Sequence, residues 1–284
     1  MLTLISKLNK MKKLLSLPLT VVALVFLLSA CTENKAEKED RQQEVKTQQP
    51  QVNDSEEGFY FFLPSPIQIA HILKKSGLIY DGRLVNDPSK YDQYQTRTNG
   101  LLNLGVYTGD LAYCILNDRT EESLKFVEAI KKLGDKHDLS DIYLSDDGNL
   151  ESAVNNRDSL INFIIQTQEN LNDYAHNSNQ LSILLVTFTG AWVETVYIGA
   201  HAENSSPEKL NETLLEEMSI LRDLITGLES TVTDNPEIAT LIAQLKQFEK
   251  MVPAADENAT GLSTDQIESL KKEIAIIRNS IINS

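Results

Sequence analysis

Cysteine is nearly absent, with Cys31 and Cys114 alone in 284 residues. Two thiols allow one disulfide at most, and none if Cys31 is modified, so the fold must stand on its apolar core. Histidine is almost as sparse. His71, His137, His176 and His201 form no His-x-x-x-His or Glu-x-x-His pair, so one-face metal ligation has nothing to start from. No glycine-rich phosphate loop follows a strand, and the Gly-x-Ser-x-Gly elbow of serine hydrolases is missing. Asp146-Asp147-Gly148 hints at a calcium loop. With Gly148 at loop position six, however, Tyr143 and Val154 fall at the outer ligand positions, where neither can ligate. A 34-residue repeat is also absent, which argues against a repeat array. These absences leave no enzyme class with a recognisable constellation and no cofactor fingerprint, so neither activity nor cofactor is expected.

The positive signals begin near the N-terminus. Lys12 and Lys13 precede an apolar run from Leu14 to Ala30, which contains Pro18 and closes on Leu28-Ser29-Ala30-Cys31. Small residues before a cysteine at that place mark a bacterial lipoprotein signal. The run is shorter than the ~20 residues of a transmembrane helix. Residues 1–30 then read as a cleaved signal peptide and Cys31 as the lipid-attachment residue. Acyl chains on its amine and thiol hold the protein to the membrane, where a single chain binds only reversibly. Met11 opens a more typical signal than Met1. Thr32 stands where lipoproteins kept at the inner membrane usually carry Asp, which favours the outer membrane.

Residues 1–30 contain four lysines and no acid, so residues 31–284 carry 22 basic against 41 acidic side chains, a formal charge of −19. That field opposes nucleic acid and anionic lipid headgroups as partners. The expected partners are the membrane, through the lipid, and another envelope protein; the oligomeric state is not encoded in any pattern found. Thr32 to Glu57 is Glu, Lys, Gln, Asp and Asn with little to bury, so residues 31–57 read as a lipidated cysteine on a disordered tether. Its r.m.s. reach is roughly 25–30 Å. Phe59-Tyr60-Phe61-Phe62-Leu63 is expected to pack as an extended arm.

Residues 58–284 read as one all-α domain, a bundle of about eight helices with no convincing strand. Ser65-Pro66, Asp87-Pro88, Ser206-Pro207 and Asn235-Pro236 repeat a cap-then-proline grammar, and Ser263 with Gln266 makes a capping box. Ile267, Leu270, Ile274, Ile277 and Ile281 form a narrow apolar seam in the last helix. The helix before it carries Ile238, Leu241, Ile242, Leu245 and Phe248, and the one before that Leu210, Leu214, Met218, Leu221, Ile225 and Leu228. Two segments differ. Leu181 to Ala202 is apolar nearly all round, as a central bundle helix is. Leu101 to Asn117 has Gly105 and Gly109 four apart with Ala112 beyond, a surface that another helix can approach closely.

The segments Asn103-Leu104-Gly105-Val106-Tyr107-Thr108-Gly109-Asp110-Leu111-Ala112-Tyr113 and Gly190-Ala191-Trp192-Val193-Glu194-Thr195-Val196-Tyr197 resemble paired signatures of an uncharacterised family of all-helical lipoproteins from outer-membrane bacteria. The similarity runs from Leu63 to about Ala202. It implies a helical fold and an envelope location, and no activity.

On a helical wheel Asn99, Asn103, Asp110, Cys114 and Asn117 share a stripe, as do Thr187, Gly190, Glu194 and His201. If the stripes face each other inside, Asp110 and Glu194 meet with Tyr107 and Tyr197 as donors, and one carboxyl is pushed up in pKa. Tyr107, Asp110, Trp192, Glu194 and Tyr197 are therefore the candidate ligand-binding cluster, for a small molecule or a cation. The competing reading is structural: solvated edges, or acids capped by a tyrosine hydroxyl or helix amides. Cys114, mid-helix with no paired histidine, reads as a small buried hydrophobe.

Overall fold

The cap-then-proline signals become helix starts. Asn235 accepts from the amides of Glu237 and Ile238 just ahead of Pro236, and Asp87 does the same for Ser89 ahead of Pro88. Ser263 and Gln266 close both halves of their capping box. In the computed structural model the described residues are 78–143, 157–203, 207–232, 234–252 and 262–284, with backbone alone over 207–216. The signal peptide 1–30, the tether 31–57, the aromatic run 59–63, the helix begun at Ser65-Pro66 and the break at Asp146 to Asn149 lie outside them. So do Ser206 and the side chains of Leu210 and Leu214.

Among the described residues 81 % are helical and none is in a strand, which makes the fold all-α. A 3-10 turn at Pro88–Gln93 precedes α1 (Arg97–Leu116), α2 (Thr120–Lys136), α3 (Ser140–Tyr143) and α4 (Arg157–Asn177). After these come α5 (Leu181–His201), α6 (Pro207–Thr231), α7 (Pro236–Met251) and α8 (Thr264–Ile282). The stops of α1, α2 and α4 share one device. Asp118, Asp138 and Asn179 take left-handed backbone (φ 57°, 58° and 53°). The next amide then reaches back to a carbonyl of the last turn, Arg119 to Cys114, Leu139 to Gly134 and Gln180 to Ala175, each at 2.9 Å.

The centre of the bundle is the α1–α5 pair, each buried along most of its length. Glycines set how close they come. A Cβ on Gly105 would lie 1.9 Å from the Thr187 carbonyl oxygen, and one on Gly190 would lie 1.9 Å from that of Leu102. Two backbones therefore touch where side chains normally intervene. Against this pair pack α2, α4, α6 and α8, and α7 packs on α6 and α8. By length and composition α5 could cross a membrane, yet its apolar window is 83 % buried inside the bundle. The three amphipathic seams point inward: Ile274 and Ile277 of α8, Leu245 and Phe248 of α7, and Leu221 and Leu228 of α6 are all buried.

Candidate functional site

The two polar stripes do converge. Asp110 of α1 and Glu194 of α5 are both fully buried, and Glu194 lies on the Gly109 side of α1, where a glycine Cβ would meet its Cβ at 3.3 Å. The third member is Arg278, which sits in the apolar seam of α8 and is itself buried. It forks onto Glu194, with Nε donating to Oε2 at 2.6 Å and Nη2 donating to Oε1 at 2.7 Å. Nη2 also donates to the Leu84 carbonyl at 3.0 Å, which ties the segment before the 3-10 turn to the last helix. Asp110 accepts at Oδ2 from the Asn86 backbone amide at 3.1 Å. Its other oxygen, Oδ1, has no donor. The Glu194 carboxyl is its neighbour across the α1–α5 contact.

The electrostatics arise from burial. Loss of solvent pushes the Asp110 carboxyl well above the usual range, the Glu194 charge adds to that, and Arg278 works against it. Burial by itself would weaken the Arg278 guanidinium. Glu194 first, then Asp110, outweigh that loss and hold it charged above its ordinary value.

The tyrosines are not the donors expected from the sequence. The Tyr107 hydroxyl donates to the Asp87 carbonyl at 3.0 Å, away from the carboxylates. Tyr197 lies under Arg278, with the guanidinium carbon 4.2 Å from the ring centroid, a cation–π contact. Trp192 is not part of the cluster. Two residues from Glu194 on a helix, it points about 200° away and meets Phe248 of α7 edge-on, with centroids 6.0 Å apart. Of the five candidate residues, then, Asp110, Glu194 and Tyr197 share one junction, Tyr107 borders it, and Trp192 belongs to another part of the core.

Sequence reasoning missed Arg278 and Asn86. Arg278 had a signal, since it stands four residues after Ile274 and three before Ile281, on the seam itself. Asn86 contributes its backbone amide, which no side-chain pattern can announce; its own side chain donates to the Tyr94 hydroxyl at 3.0 Å. Other polar groups nearby close the end of α8. Asn103 Nδ2 donates to the Ile281 carbonyl at 3.1 Å and the Tyr94 hydroxyl to that of Ile282 at 3.4 Å, so carbonyls left open at that helix end find partners.

Cys114 is fully buried, with its thiol beside the Tyr80 hydroxyl at 3.8 Å, and burial pushes it up to about 12. Among the described residues no group of three or more His, Cys, Asp or Glu could hold a metal ion. A small cleft lies between α1, α4 and α5, lined in part by Thr108, Thr187, Tyr143, Leu171 and Phe188 and by no charged side chain. No family model, curated protein or solved structure matches this chain.

Proposed function

We propose that the chain is a lipid-anchored cell-envelope protein, held at the outer membrane through Cys31, whose helical body binds another envelope protein or scaffolds a complex without catalysing a reaction. The observation that carries this reading is Leu28-Ser29-Ala30-Cys31 behind Lys12-Lys13 and an apolar run that suits a signal peptide better than a transmembrane helix of ~20 residues. The resemblance of segments 103–113 and 190–197 to uncharacterised helical lipoproteins supports the same location and adds no activity. The buried acids fit a non-catalytic body: Glu194 is already engaged by Arg278, and Asp110 is sealed behind the Asn86 amide. Metabolic labelling with a clickable fatty acid tests the anchor. Wild type should label and sediment with membranes, and Cys31→Ser should not label; equal labelling of both refutes the reading.

The cleft between α1, α4 and α5 favours a second reading, a lipoprotein that binds a small molecule. Its lining is uncharged and mostly apolar, which suits a small neutral ligand and not a cation. A thermal-shift screen against metabolites separates the two readings, because a ligand of the folded state raises apparent stability by mass action. A saturable shift from a neutral compound supports the second; a partner cross-linked in intact cells, with no such shift, supports the first.

A further inference from the structure

Three ionisable side chains meet at the junction of α1, α5 and α8, and only one of them is a cation. Arg278 gives Glu194 two short bonds and the Leu84 carbonyl a third, and it makes no hydrogen bond to Asp110. Asp110 is left with one backbone donor at Oδ2 and nothing at Oδ1, although that oxygen is buried from water. An ionised carboxylate there would face another carboxylate in a medium of low dielectric, with only the Asn86 amide and the Arg278 charge, already paired with Glu194, to compensate it.

The other groups around the junction supply neither a second positive charge nor a donor to Oδ1. From α1 come Tyr107 and Cys114, and from the 3-10 segment Tyr94, all held neutral by burial. Asp87 lies beyond Tyr107 and adds only negative charge. On the α5 side Tyr197 presents its ring face to Arg278. His201, at the end of α5, is held toward its neutral form by burial and by the nearby Lys271 and Arg278. A proton on Asp110, donated to the neighbouring Glu194 carboxylate, satisfies Oδ1 from within the junction itself.

We infer that Asp110 and Glu194 share a single proton in the folded protein, so that the α1–α5–α8 junction is a proton-binding site that ties folding to pH. The proton sits on Asp110 Oδ1 and is donated to the Glu194 carboxylate, since Glu194 already accepts two bonds from Arg278. The junction then carries one negative and one positive charge and closes neutral. An unfolded chain ionises this aspartate near pH 4, so through the neutral range the folded protein carries one proton more than the unfolded one. Linkage gives the sign. With more protons on the folded side, stability is full below about pH 4 and declines as pH rises toward the folded-state pKa. In that window the folding constant falls about tenfold per pH unit relative to a variant that lacks the carboxyl.

Infrared difference spectroscopy of the full-length protein in detergent micelles reads the proton directly. Wild type should show a protonated-carboxyl carbonyl band at pH 7, where solvated carboxyls are ionised, and Asp110→Asn should lose it. Absence of the band in wild type, or its persistence in Asp110→Asn, overturns the inference. Should a variant fold poorly, titration of the wild-type band is sufficient: loss of the band near pH 4 overturns the inference, and survival above pH 7 upholds it. Urea unfolding gives an independent check, because the asparagine amide supplies the same donor to Glu194. Asp110→Asn should therefore gain on wild type with rising pH. A constant difference between pH 4 and 8 contradicts proton sharing.

Discussion

Arg278 shows how much one side chain can hold. Its guanidinium, on α8, joins Glu194 and the Tyr197 ring of α5 to the Leu84 carbonyl, so three separate stretches of chain meet at it. Breaking a buried pair by removing one partner leaves an uncompensated charge, so Arg278→Met should cost ~3–5 kcal/mol. Arg278→Lys should not restore the loss, because an ammonium cannot present the planar fork. Urea midpoints at unchanged m-value measure both. Exposed pairs such as Arg83 with Asp81 should change stability by less than ~1 kcal/mol when broken. Cys114 gives a second residue-scale outcome: at pH 8 its buried thiol should resist a thiol reagent in the folded protein and react at once in urea. Asp110 and Glu194 were legible in the sequence because two acids inside otherwise apolar helices break a pattern. Arg278 carried its signal on the seam and was overlooked because α8 is rich in surface charge, where one more charge reads as another solvated side chain. Donors on the backbone, such as the Asn86 amide, leave no trace in a side-chain pattern.

Between elements the decisive contact is backbone against backbone. Gly105→Ala and Gly190→Ala would each place a methyl 1.9 Å from a carbonyl oxygen of the facing helix, and a backbone cannot step aside as a flexible side chain can. Each should cost the upper end of the ~1–3 kcal/mol of overpacking, or more, and show as a lowered melting temperature. Gly109→Ala meets its nearest atom at 3.3 Å and should be far milder. Ser263→Ala removes half of a formed capping box and should cost ~1 kcal/mol at the start of α8. The Gly105 and Gly109 spacing announced a close helix approach, and α5 is the helix that makes it. Gly190 as the reciprocal contact was not announced, because a single glycine in an apolar helix has no spacing to read. The starts of the 3-10 turn, α7 and α8 were read from their proline and capping residues. The stops at Asp118 and Asp138 were not, since aspartate in left-handed backbone looks like any surface acid.

At the scale of the whole molecule, the polar junction lies where three distant parts of the chain cross. Leu84 and Asn86 come from ahead of the 3-10 turn, Asp110 and Glu194 from the central pair, and Arg278 from the last helix. That arrangement makes the junction a clamp on the architecture. The all-α class was legible because the seams and caps of α7 and α8 agree and no segment carries a strand pattern. The clamp was only half legible, because its third charge comes from a helix 84 positions beyond Glu194. The measurement that tests this claim most directly is a double-mutant cycle of Glu194→Met and Arg278→Met on urea stability. A clamp predicts that each single substitution is strongly destabilising and that the double variant is more stable than the sum of the two losses by over ~2 kcal/mol, since no charge is left unpaired. Additive losses, with the double variant no better than the sum of the singles, would contradict it.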